Sequence, residues 1–150
     1  MYERLLLPYD GSNEGRRGVE HGIELAAALG ATVHALYVAK LPDAPRALYY
    51  DEDEDELIER FRDHGEELTA EVAEMAEAAG VDCVTAVTFD SPAAGIVEYA
   101  EEEGMDAIVM GSAYTGALRA LLGNTTDKVV RSATVPVITH RIRQHEPDGD

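Results

Sequence analysis

The chain predicts an open, doubly wound α/β fold, a five-stranded parallel sheet with helices on both faces. Short apolar runs such as Ala107–Met110 and Val135–Ile138 have the character of strands covered on both sides. Longer amphipathic stretches alternate with these runs, which calls for right-handed crossovers between parallel strands. Glycines at 30, 80 and 104 stand where each helical pattern ends and the next strand begins, the usual place for a left-handed cap.

Arg4–Tyr9 (RLLLPY) reads as the first strand, and the turn Asp10-Gly11-Ser12-Asn13 after it supplies a helix cap. The alanine-rich segment Glu14–Leu29 is the first helix, and Ala31–Val38 the second strand. Glu54–Ala79 sets Leu57, Ile58, Phe61, Leu68, Val72 and Met75 on one helical face. Val81–Phe89 is the third strand. Ser91-Pro92 places an N-cap before a first-turn proline and opens a third helix to about Glu103. A fourth strand follows, then a helix at about Asn124–Ser132 and a last strand at Val135–His140. Pro136 within that strand would remove a ladder donor, so the strand belongs at a sheet edge. Residues 1–142 form one domain, and 143–150 read as a disordered acidic tail. The connection Lys40–Asp53, with two prolines, is long enough to act as a lid or partner surface. It runs into six consecutive acids, Asp51–Glu56, suited to a solvated helix start facing the helix dipole.

Composition narrows the class. At 150 residues and 45% hydrophobic the chain can bury a core. No apolar run has the length of a membrane span, and the first residues lack a signal-peptide pattern, so a cytoplasmic protein is expected. One cysteine, Cys83, leaves no intrachain disulfide and reads as a small core residue. A net charge of −18 argues against nucleic acid and anionic membranes as partners. Of twelve basic residues only Lys40 and Lys128 are lysines. An acid-rich, lysine-poor surface is that of a protein living in molar salt, where self-repulsion is screened, and a halophilic archaeon is the expected source.

Chemistry concentrates between Ile108 and Thr139. There a strand opens through a loop holding Gly111, Ser112, Thr115, Gly116 and Gly123 onto a helix whose first turn is Asn124-Thr125-Thr126-Asp127. A glycine-punctuated strand end facing a hydroxyl-rich helix N-terminus is suited to an anion, usually phosphate.

These residues resemble the universal stress protein family over about residues 2–142. The features that carry the likeness are LLLPYDGS, HGIELAAALGATVHALYV, DAIVMGS and GALRALLGNTTDKVVRSATVPVIT. The resemblance implies the strand order 3-2-1-4-5, with a topological switch between the first and fourth strands. It also implies homodimers paired through the last strand, here Val135, Val137 and Thr139. In nucleotide-binding members it implies ATP or AMP, with Mg2+ for ATP. Asp10 matches the ribose-binding acid, Val38 the adenine contact, and Gly111 and Gly123 the first and third glycines of the phosphate motif. Pro8, Met110, Ser112, Asn124 and Thr125 complete the implied site. Three residues after Gly111, however, stands Tyr114 in place of the middle glycine, Gly111 to Gly123 is one residue short, and Asn124 follows where Ser or Thr is usual.

Bland roles compete at each position. Asp10 and Ser12 suit helix capping, Gly116 and Gly123 suit turns, and His34 suits a core or crevice histidine. The five histidines show no pair at metal-ligand spacing, and no metal site is expected. A phosphoacceptor receiver would need an acidic pair after the first strand and a lysine after the fifth; Asp10 stands alone and the last strand ends in Thr139-His140. Neither GxxxxGK[ST] nor GxGxxG occurs. The expectation is a nucleotide-binding stress or signalling module with at most weak ATP hydrolysis. The alternative is a dimeric interaction module of the same fold that binds no nucleotide.

Overall fold

The computed structural model describes residues 2–40, 54–114 and 125–143. The Lys40–Asp53 connection beyond Lys40, the glycines at 116 and 123, Asn124 and the expected tail after Arg143 lie outside the described residues, while Arg143 itself ends a strand. In chain order the elements are β1 (Arg4–Pro8), α1 (Asn13–Leu29), β2 (Thr32–Ala39), α2 (Glu54–Ala78), β3 (Cys83–Phe89), α3 (Pro92–Glu102), β4 (Ala107–Tyr114), α4 (Thr125–Ser132) and β5 (Val137–Arg143). The strands form one parallel sheet in the order β3-β2-β1-β4-β5.

Local chemistry sets the helix ends. The Ser12 hydroxyl accepts the Gly15 amide at 3.0 Å at the start of α1. At its other end Gly30 adopts φ 69°, and its amide reaches the Ala26 carbonyl. Ser91 occupies the N-cap of α3 without making a side-chain cap bond; Asp90 Oδ1 instead accepts the Ser91 amide at 2.7 Å. Asp106 staples the sheet's start, its Oδ2 accepting the amides of Glu3 and Arg4 at 2.8 and 2.9 Å. Those two bonds hold its carboxyl below the ordinary aspartate range.

The three leucines of β1 are fully buried and divide between two cores, because successive strand residues face opposite sides. Leu5 and Leu7 join Val19, Ile23, Val33, Val72 and Val109 under α1 and α2. Leu6 joins Leu36, Ile96, Ile108, Met110 and Val129 under α3 and α4. On α2, Leu68 and Val72 are buried, whereas Leu57, Ile58 and Phe61 are only half-buried. A 25-residue helix spans about 37 Å at 1.5 Å per residue, longer than the strands beneath it, so its first turns overhang the sheet.

Two expectations are corrected. Gly111 and Ser112 do not begin a loop: β4 continues through them to Tyr114, pairing Gly111 with His140 and Ser112 with Arg141 of β5. The last strand begins at Val137, not Val135. Val135 is half-buried against the core under α3 and α4. Pro136 sits just before the strand, where its carbonyl accepts the Ile108 amide at 2.9 Å. The edge position of β5 holds, but the missing proline donor falls outside the strand.

Candidate functional site

A crevice opens beyond the carboxyl ends of β1 and β4, the point where strand order reverses and open α/β sheets bind ligands. Its volume is about 330 Å³, at the small end of the roughly 300–1,000 Å³ usual for ligand pockets. One wall is apolar: Pro8 from β1, Leu36 and Val38 from β2, Pro92 and Ile96 from α3, and Met110 from β4. The polar lining comprises Asp10, Ser12 and Glu14 from the end of β1 and the start of α1, Ser112 from β4, and Thr125 and Thr126 from α4.

Each side chain arrives there for a local reason. Asp10 stands two residues beyond the end of β1, and its Oδ1 accepts the Ser12 amide at 2.9 Å. That Asx turn orients the carboxylate, and Gly11 at φ 88° lets the chain reverse into α1. Capping of α1 falls to Ser12, and in place of the capping role considered for Asp10 its side chain makes that turn. Tyr37 lines the crevice beside Asp10; burial first, then the Asp10 charge, push its phenol upward. Its ring lies edge-on to His64 of α2, in a space that a Cβ at Gly65 would invade. Tyr9 is buried and donates its hydroxyl to Glu71 at 3.2 Å. Burial and then the Glu71 charge raise its pKa against the opposing pull of Arg16.

Gly111 has a packing role that the sequence did not disclose. A Cβ there would overlap the Glu14 carbonyl of α1, and a Cβ on Gly18 would run into the Gly111 backbone. The first turns of α1 therefore sit directly on β4, backbone against backbone. Thr126 closes the far side by donating its hydroxyl to the Gly111 carbonyl at 3.0 Å.

Of the implied site residues, Pro8, Asp10, Val38, Met110, Gly111, Ser112 and Thr125 all line this one crevice. Gly123 and Asn124 lie outside the described residues. Thr126, read from the sequence as part of the hydroxyl-rich helix start, lines the crevice too, whereas sequence reasoning missed Leu36, Tyr37, Pro92, Ile96 and Glu14. Leu36 was within reach, because it shares a strand face with Val38. Pro92 and Ile96 were not, because the helix-start signal says nothing about which crevice that helix borders.

The universal stress protein family profile matches residues 1–141. The chain is a member of that family. The universal stress protein MJ0531 of Methanocaldococcus jannaschii is 36% identical over 140 residues, covering 92% of this chain and 81% of that protein. The solved structure of universal stress protein UspA from Lactobacillus plantarum superposes with a TM-score of 0.77 at 25% identity, covering 93% of this chain and 98% of that one. The universal stress protein of Archaeoglobus fulgidus, solved in complex with dAMP, gives 0.63 at 20% identity, covering 92% and 97%. The expected universal stress protein fold and strand order thus stand.

His34 is half-buried on β2 with its Nδ1 2.8 Å from the Tyr99 hydroxyl, and burial lowers its pKa. Cys83 opens β3 as a half-buried free thiol, its pKa raised by burial. Tertiary structure brings His21 and His140 to a ring separation of 5.3 Å, a proximity with no trace in their spacing along the chain. Among the described residues, no cluster of three or more His, Cys, Asp or Glu side chains could hold a metal. Among those residues too, no helix is long and apolar enough to cross a membrane.

Proposed function

We propose that this universal stress protein family member is a small cytoplasmic stress-response module that binds an adenine nucleotide, AMP or ATP with Mg2+, in the crevice between β1 and β4. The observation that carries the reading is the meeting of Asp10, Val38 and Ser112 in one cavity at the switch point. The apolar wall of Leu36, Val38, Pro92 and Ile96 suits the flat face of a purine. Asp10, oriented by its Asx turn, suits the ribose hydroxyls as an acceptor. The hydroxyls of Ser112 and Thr125, in the same lining, and the start of α4 at Thr125 suit a phosphate. The dAMP complex of the Archaeoglobus relative supports the choice of an adenine nucleotide. Calorimetry with AMP and ATP at high salt is expected to give saturable binding that Asp10→Ala abolishes. The absence of both heat and a thermal shift at millimolar nucleotide would sink the reading.

A second reading has its own support: Gly111 is needed for α1 packing whatever binds, and β5 lies at a sheet edge. On that reading the protein is a homodimeric interaction module joined through β5 at Val137 and Thr139. Dimerisation through this edge is compatible with either reading. The acidic surface supports a halophilic source.

A further inference from the structure

We infer that His21 of α1 and His140 of β5 together bind a borderline divalent transition-metal ion of the zinc and nickel class, at a site apart from the crevice. Neither histidine lines the crevice, so the inference stands or falls independently of nucleotide binding. The fold brings the two rings together. Ile138 packs against the core beneath α1 and α2, and His140, two residues further along β5, faces the same side of the sheet. On that side the ring centre of His21 stands 5.3 Å from that of His140, with the ring planes tilted by 40°. Both residues are half-buried, so an ion reaches the pair from solvent.

Two observations point to a ligand. The first is the separation of the rings. With a zinc–nitrogen bond of about 2.0–2.1 Å and tetrahedral angles at the metal, two imidazoles sharing one ion hold their ring centres about 5 Å apart. The second is the Nδ1 atom of His140, which is buried and has no hydrogen-bond partner among the described residues. A buried polar nitrogen left unpaired is costly, and a metal ion satisfies the lone pair of a neutral imidazole. The donors then select the metal. Imidazole nitrogen suits zinc, nickel and copper, whereas magnesium and calcium take oxygen ligands. Among the described residues no third His, Cys, Asp or Glu side chain completes the set, so water fills the other positions. A net charge of −18 enriches cations around the chain. The unfolded chain does not hold the two imidazoles together, so an ion bound by both favours the folded state and ties α1 to the edge strand.

The test is calorimetric titration of the full chain with zinc, in excess magnesium to occupy surface carboxylates, repeated on His21→Asn, His140→Asn and the double variant. Each single variant should weaken zinc binding at least about tenfold, since the second imidazole no longer acts at high effective concentration. The double variant should lose little more than either single one, because one imidazole alone no longer chelates. On the native chain, zinc should raise the melting temperature and shift the imidazole NMR signals of His21 and His140 while leaving those of His34 and His64 in place. Unchanged affinity in either single variant, or losses that simply add, overturn the inference. So do magnesium displacing zinc, zinc shifting His34 or His64 instead, and the absence of saturable zinc binding. The NMR readout uses the native chain, so the result does not depend on a variant folding.

Discussion

At Gly111 a motif position and a packing position coincide. The residue lines the crevice, yet a Cβ there would overlap the Glu14 carbonyl. Gly111→Ala should therefore lower stability by about 2 kcal/mol or more, the scale of overpacking in a close-packed interior. Urea denaturation checks it, and an unchanged midpoint would show that α1 is not seated on β4. A motif match cannot separate these roles, because glycine is demanded by both. His34 gives a second test. Its folded pKa lies below its ordinary value of 6.5 because burial disfavours the charged ring. The unfolded chain therefore binds the proton more readily, so stability is full above pH 6.5 and declines as pH falls towards the folded pKa. Wild type should lose more melting temperature than His34→Gln between pH 7.5 and 5.5; parallel losses would refute the assignment.

Among the elements, α1 shows how much local sequence can carry. Its start, its cap and its glycine stop were all legible, because Ser12 and Gly30 act on backbone groups a few residues away. Ser12→Ala should cost about 1 kcal/mol through loss of the cap to Gly15, read as a shift in thermal midpoint. β4 shows the converse. Its apolar run ends at Met110, but the strand continues to Tyr114 because β5 supplies hydrogen-bond partners beside Gly111 and Ser112. Strand length was decided by a neighbour distant in sequence, which periodicity cannot register. β5 erred in the other direction: Val135 has strand-like character but is spent on the core under α3 and α4.

For the whole molecule, the edge at β5 and the charge of −18 set the behaviour in solution. The Ile108 amide bonds the Pro136 carbonyl, so by the alternation of a parallel ladder the backbone groups of Val137 and Thr139 point away from β4. Thr139→Pro removes an outward donor without breaking that ladder. If copies join through β5, it should turn a dimer into a monomer in sedimentation equilibrium with the fold retained; a wild type that stays monomeric at high concentration refutes the joint. Melting temperature should also rise from low to molar salt, as the self-repulsion of thirty acids against twelve bases is screened. Alternation of strands and helices, their caps and the burial of the leucine strand were written in the chain, because they depend on periods of two and 3.6 residues and on backbone groups close at hand. Which faces meet was not. The seating of α1 on Gly111, the approach of Pro92 and Ile96 to Val38, and the joining of Asp10 and Ser112 in one crevice arise only when five strands align. The crevice is made of residues a hundred positions apart, and no local pattern measures the distance between them.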